Sequence, residues 1–225
     1  MIDWQPLWLS IRLAGITTLL LLMISIPLGY WLAYSRQRWT IAVEALASLP
    51  MVLPPTVLGF YLLLAFSPAQ GFGHFLDRYL DIRLVFTFPG LVVASLLYSF
   101  PFMINPIIAG FRSLSPNLRA ASRTLGKSDG TTLVRILLPN IRPALITGVV
   151  LSFAHTIGEF GVVMMIGGSI PGQTRVASVA IYDEVQSIHY SLANQYAIVL
   201  LAFSFIILLL VYVVNRYFHQ TSTLP

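Results

Sequence analysis

The chain has 225 residues, 57% hydrophobic and only 9% charged, with a mean hydropathy of +0.82, whereas soluble domains average about 45–50% apolar and about 25% charged. That balance excludes an ordinary soluble domain and indicates an all-α polytopic membrane protein whose length suits one domain over residues 1–225. The absence of Cys excludes disulfide frameworks, iron–sulfur clusters and thiol catalysis, and the net charge of +5 does not indicate nucleic acid, because its distribution follows a membrane pattern.

In chain order, the N-terminal MIDWQPLW lacks the basic region and small-residue cleavage site of a signal peptide, so the first apolar segment is expected to persist as a span. A spanning helix needs about 20 mostly apolar residues. Five stretches meet that need, roughly Leu7 to Tyr34, Ile41 to Phe66, Phe86 to Phe111, Pro143 to Ile166 and Ala193 to Tyr217. If they alternate, Arg36, Arg38, Arg112, Arg119, Arg123, Lys127, Arg135, Arg142 and Arg216 share one side, nine of the thirteen basic residues. By the positive-inside rule that side is the cytoplasm. The N-terminus is then expected outside, and the C-terminus and the 114–142 loop in the cytoplasm.

The second stretch carries Pro50, Pro54 and Pro55, which remove backbone donors and should kink or break it. The freed carbonyls then need protein or water partners, which turns this segment toward the bundle interior. Pro101 and Pro106 in the third stretch imply the same, with Asn105 as a buried polar candidate. Two further loops, 67–85 and 167–192, are expected outside. Val176, Val179, Ala180 and Val185 give the second partial helical periodicity, so Thr174 to Ser187 reads as an interfacial or re-entrant helix, or else as a sixth short span.

The interval from Leu114 to Arg142 is polar and basic inside an oily sequence. Ser115 before Pro116 is an N-cap followed by Pro at the first helical position, and Gly126 is suited to end that helix. Leu118, Ala121, Ser122 and Leu125 recur on one face, and Arg119 and Arg123 share a neighbouring one. A second helix is expected from Asp129 as N-cap, with Leu133, Ile136 and Leu137 on one side, stopping before Pro139. Gly126, Lys127 and Ser128 echo the end of a phosphate-binding loop, but position 121 is Ala where that pattern needs Gly, and no strand precedes it. ATP binding by this chain is therefore not expected.

Glu159 lies 17 positions after Arg142, about 25 Å along a helix at about 1.5 Å per residue, so it is still near the hydrocarbon zone. An ionisable group there normally faces the interior. His155 falls one turn away on the same face and can pair with it. Gly148, Ser152 and Thr156 extend that face as a small-residue seam for close packing. The pair is either part of a gate or a packing device that fixes helix orientation, with Gly158 beside it. Among the eight acids the only paired carboxylates are Asp183 and Glu184, which are adjacent and therefore expected to point apart on a helix, and the four His show no metal-ligand spacing. Catalysis by this chain alone is not expected, and a metal site is not expected either.

Ala120, Ala121, Gly126 five residues later and Leu138-Pro139 beyond it resemble the signature loop of the membrane subunits of ABC importers. The resemblance implies coupling helices that sit in a groove of a separate ATPase subunit, with Arg119, Ala120, Ala121, Leu125, Gly126 and Pro139 in that contact. Arg119 stands where the family usually has Glu, which implies a partner groove more acidic than is typical. The segments Leu49 to Leu64 and Thr156 to Arg175, with Gly-Glu-Phe-Gly and Ile-Pro-Gly-x-Thr, look like the molybdate/tungstate permeases, with sulfate permeases as relatives. Relatives commonly carry Arg at the position of His155.

What this implies is a permease-type helical bundle of five, possibly six, transmembrane helices in a prokaryotic cytoplasmic (inner) membrane. It would work as a homodimer with two ATPase subunits, which hold ATP and Mg, the chain itself holding no cofactor. An extracytoplasmic molybdate/tungstate-binding protein would feed it, with Pro171, Gly172, Thr174 and Arg175 as contact candidates. Pro54, Pro55, Asn105, His155, Gly158 and Glu159 are the gate or helix-packing candidates. Sulfate or another oxyanion is the alternative cargo. An intramembrane transferase on a lipid-linked substrate, or a passive channel, are alternatives of another class.

Overall fold

The computed structural model describes residues 2–69 and 71–221, with side chains described except at 211 and 214–221. Among the described residues every regular element is helical. Three helices form the centre: α1 (Gln5–Tyr34), α5 (Phe88–Ser113) and α9 (Arg142–Gly158). For brevity the others are α2 (Thr40–Ser48), α3 (Pro55–Phe66), α4 (Gly71–Leu80), α6 (Pro116–Thr124), α7 (Asp129–Thr132), α8 (Leu138–Asn140), α10 (Gly161–Gly167), α11 (Ala177–Gln186) and α12 (Tyr190–Thr221).

Leu9, Leu13, Leu91, Val162 and Ile166 make one core cluster, and Leu21, Met103, Ile107, Phe111 and Leu137 a second further along the same helices. The small-residue seam expected on α9 is real. Gly148, Ser152 and Thr156 are buried, and a Cβ on Gly148 would stand 3.0 Å from Met103 Sδ and 3.2 Å from its carbonyl oxygen. Glycine is what lets α9 approach α5 so closely. The Thr87 hydroxyl caps α5 by accepting from the Gly90 amide at 3.2 Å. Pro101 and Pro106 lie inside a continuous α5, and the segment faces the bundle interior as expected, with Pro101 buried. Each proline deletes one backbone bond, and the helices packed along α5 on both sides keep it continuous.

The second apolar stretch is broken as expected. α2 runs into a 3-10 turn, Leu49–Met51, and the axis from Thr40 to Met51 meets that of α3 at 108°. Pro54 adopts φ −55°, ψ 135°, because a residue followed by proline is pushed out of the helical region, and Pro55 then starts α3. The segment still crosses the bundle. Arg112, at the end of α5, donates to Glu44 on α2 at 3.1 Å, while Leu63 to Ser67 lie against Arg83 to Phe86 near the start of α5. The fourth stretch, expected as one helix, comes in two pieces. Glu159 is extended at ψ 128°, and the Ser178 hydroxyl donates to its carbonyl at 2.6 Å, drawing it out of the helical ladder before α10 begins.

Ten residues make α11 about 15 Å long, about half of a hydrocarbon core of about 30 Å. α11 is therefore too short for the sixth-span alternative, and a short helix is found where an interfacial or re-entrant one is expected. α4 lies in the 67–85 loop, where no helix is expected from the sequence, although Phe72, Phe75, Leu76 and Tyr79 follow a helical spacing. By length and composition three helices suffice alone to cross a membrane, and up to five segments if each bent pair is one span. Only 11% of the apolar window of α12 is buried against 56% for α5, so α12 flanks the bundle.

The two ends of the bundle are distinct. The Tyr196 hydroxyl accepts from the Asp3 amide at 3.2 Å, and Ser10 Oγ accepts from the Ala177 amide at 2.8 Å, which gathers the N-terminus, α11 and the start of α12 at one end. Tyr34 donates to the Phe111 carbonyl at 3.2 Å at the other, where the 114–142 loop lies. The expectation for the C-terminus falls on residues 222–225, outside the described residues.

Candidate functional site

The loop between α5 and α9 is two helices clamped around a corner. Ser115 Oγ accepts from the Asn117 amide at 3.3 Å and caps α6, with Pro116 at its first position. Gly126 ends the turn at φ +70°, a left-handed conformation glycine adopts without strain. Ser128 caps the second helix, accepting from the Thr131 amide at 3.2 Å, so the expected cap Asp129 is instead its first residue. Nor does the helix stop before Pro139. A single widened turn, Leu133–Leu137, closes with the Leu138 amide bonding to the Leu133 carbonyl, and α8 carries Pro139 inside it. The wide turn shifts the ladder ahead of a residue that has no N–H to give.

The clamp is specific. Ser122 and Thr132, both buried, share a hydroxyl hydrogen bond of 2.7 Å, and Arg123 meets Asp129 at 3.1 Å. The face expected from Leu118, Ala121, Ser122 and Leu125 is thereby divided. Ser122 turns in, whereas Ala120, Ala121, Leu125 and Gly126 stay exposed, Leu125 at 75%. The result is a small apolar knob at the corner between α6 and α7, left exposed among the described residues. Arg119 is not on the knob. Its guanidinium lies 4.8 Å from the Tyr34 ring centre and 5.3 Å from that of Tyr30, 4.0 Å from Asp129, and its Nε is buried without a hydrogen-bond partner. Within this chain Arg119 pins α6 to the end of α1.

The gate or packing candidates gather where the two broken segments meet. A Cβ on Gly161 would stand 2.7 Å from Pro55 Cβ, and one on Gly59 would stand 2.8 Å from Met165 Cβ and 3.1 Å from Val162 Cα. α3 and α10 therefore lie in contact through two glycines. Pro54 and Pro55 form the break itself. Gly158, a sequence candidate, has nothing within 4 Å of an added Cβ, so the packing glycine of Gly158-Glu159-Phe160-Gly161 is Gly161, which sequence reasoning missed. Asn105 is half-buried rather than buried; it accepts from Ser48 Oγ at 3.3 Å and ties α5 to the end of α2.

His155 and Glu159 do not pair. The break turns Glu159 away, while His155 Nδ1 meets Ser99 Oγ at 3.0 Å, and its ring stacks on Phe102 at 4.0 Å between centres. Ser99 in turn bonds Thr156 Oγ1 at 2.9 Å, so this cluster ties α5 to α9. Glu159 is only 4% exposed, and neither of its carboxylate oxygens has a hydrogen-bond partner among the described residues. Ser95 and Tyr98 of α5 are its polar neighbours, with the Ser95 hydroxyl beside the carboxyl but outside good hydrogen-bond geometry among the described residues.

The chain matches the family model described as binding-protein-dependent transport system inner membrane component over residues 25–222. It belongs to that family. The permease is 42% identical over 216 residues to the molybdenum transport system permease protein ModB of Azotobacter vinelandii, covering 96% of this chain and 95% of the relative. It is 33% identical over 189 residues to the Escherichia coli K12 protein of the same name, covering 82% and 81%. The sulfate transport system permease protein CysT of Escherichia coli K12 is 36% identical over 166 residues, covering 74% and 60%. Among solved structures, a bacterial ABC transporter that imports alginate aligns at TM-score 0.78 and 17% identity over 95% of this chain and 78% of that one. The MetNI methionine ABC transporter aligns at 0.72 and 15% identity over 94% of each. The bundle is thus the ABC permease fold, and the relatives are transport permeases rather than enzymes.

At the N-terminal end the permease keeps two of the four loop candidates exposed, Pro171 and Gly172, the latter at φ +76°. The other two face inward. Thr174 is fully buried, donating to the Gly167 carbonyl at 2.6 Å and accepting from the Ile170 amide at 3.1 Å. Arg175 bonds Asp183 at 3.0 Å and Glu184 at 2.9 Å. Burial would lower the Arg175 pKa, but its bonds to Glu184 and Asp183 outweigh that and raise it above the ordinary value. Both residues shape the loop.

Proposed function

We propose that this permease carries molybdate or tungstate as a homodimer, fed by an extracytoplasmic binding protein and driven by two ATPase subunits that hold ATP and Mg. The observation that carries the reading is the match, along nearly the full length of both chains, to a molybdenum permease. The exposed knob of Ala120, Ala121, Leu125 and Gly126 supports the drive: an apolar corner projecting from the loop end needs a cover, and a groove of an ATPase subunit supplies one. The knob would enter the groove, and the Ser122–Thr132 clamp would pass groove motion to α9 as a unit. Nine basic residues on the loop side argue for a cytoplasmic position of that end, with the N-terminus and Pro171-Gly172 facing the binding protein.

Uptake of labelled molybdate by vesicles holding permease, ATPase and binding protein tests this directly. Transport should require ATP and disappear when Ala121 and Leu125 are both replaced by Asp. Uptake that survives that change would end the coupling assignment. Sulfate is the second reading, favoured by the identity to the sulfate permease. Equal competition by sulfate and tungstate against molybdate would decide for it.

A further inference from the structure

Between the last turn of α1 and α6 lies a cleft of ≈ 500 Å³, floored by Phe111 and edged by Arg36, Arg112, Arg119 and Arg123. Two carboxylates reach this group. Glu44 engages Arg112, and Asp129 engages Arg123 and, at 4.0 Å, Arg119. The cleft therefore keeps an excess of two positive charges. Arg36 is exposed and has no ion pair among the described residues, and Arg119 Nε is buried unpartnered.

Its level in the membrane is marked by rings. Tyr30 and Tyr34 line the adjoining groove with Trp31, and Trp31 lies tilted against Trp39 at 4.9 Å between centres. Such aromatics concentrate where headgroups meet acyl chains. A cleft of arginines at that depth, open beside a spanning helix, meets lipid phosphate before any solute. We propose that it binds the phosphate of an anionic phospholipid, which bridges Arg36 of the α1 terminus to Arg123 of α6 and braces the coupling loop against the membrane. This does not depend on the transported anion.

The test is retention of phosphatidylglycerol by the full-length permease, measured by native mass spectrometry, alone and assembled with its ATPase subunit. Each arginine near a lipid surface contributes on the order of 1 kcal/mol, so Arg36→Gln should weaken retention about fivefold and Arg36→Glu about 25-fold. Arg38→Glu, two residues on and outside the cleft, should weaken retention clearly less than Arg36→Glu. Inorganic phosphate and molybdate at millimolar concentration should not displace the lipid. Equal loss in the Arg36 and Arg38 variants would overturn the proposal, reducing it to general surface charge. Displacement by either free anion would overturn the lipid assignment, and loss of lipid on assembly would give the cleft to the ATPase instead.

Discussion

Gly158 and Gly161 stand three residues apart in one motif, and the structure gives them opposite consequences. In Gly161→Ala the new Cβ would sit 2.7 Å from Pro55 Cβ and 3.3 Å from the Thr56 amide. That is roughly 0.7 Å short of ordinary carbon contact, and the obstacle is a proline ring fixed to its backbone rather than the tip of a flexible side chain. α3 and α10 must part, and overpacking of this kind costs about 1–3 kcal/mol. Gly158→Ala meets nothing within 4 Å. As the last residue of α9 it should be neutral or gain up to about 1 kcal/mol of helix propensity. Neither glycine has positive φ, so backbone strain does not enter. Thermal unfolding of the purified permease in detergent reads both. The first variant should melt several degrees lower, at about 2–4 °C per kcal/mol for a chain of this size, and the second at or above the parent. If Gly161→Ala melts with the parent, or the two variants fall together, the glycine contact between α3 and α10 is wrong.

Arg119→Glu should free α6, because it removes a cation over two tyrosine faces, worth about 0.5–2 kcal/mol, and sets a negative charge there instead. Hydrogen exchange across residues 116–124 should rise, more than in Arg119→Lys, and an unchanged pattern would refute the anchor. Ser122→Ala deletes the 2.7 Å clamp but leaves Thr132 Oγ1 bonded to the Ser128 carbonyl at 2.9 Å. The expected loss is about 1 kcal/mol, read as faster proteolysis between residues 124 and 129; equal rates would count against the clamp. Arg175→Gln leaves Asp183 and Glu184 side by side without their shared cation. A loss of about 1–3 kcal/mol is expected for a partly exposed cluster, with new protease cuts in the 168–176 loop, and an uncut loop would show that the hydroxyl of Thr174 suffices.

Several features can be read from the sequence because their causes are local. The apolar stretches, the Pro54-Pro55 break, the Ser115-Pro116 cap and the Gly126 corner each arise from residues within a few positions. The break after Gly158 is of another kind, because its carbonyl partner, Ser178, lies 19 residues on in a different helix. Spacing puts Arg119 and Arg123 on one face of α6, and both meet Asp129, but it does not show that Arg119 also reaches the Tyr30 and Tyr34 rings, which belong to α1. Thr174 and Arg175 enter as contact candidates through the resemblance, and only the structure shows their polar atoms satisfying Gly167, Ile170, Asp183 and Glu184. Spacing shows which residues share a face. It does not show which face is covered when the cover comes from far along the chain.

The interruptions at Pro54 and at Glu159-Phe160 adjoin one another, and the close contacts at Gly59 and Gly161 join the two helices beyond them. A tilt imposed on α2 or α9 from the loop end therefore has no continuous helical rod to travel along. It reaches two neighbouring hinges on a common line, beyond which α3 and α10 move as one block. Such a linkage would turn a small rotation near the 114–142 loop into a swing of that block, with Glu159 buried at the pivot.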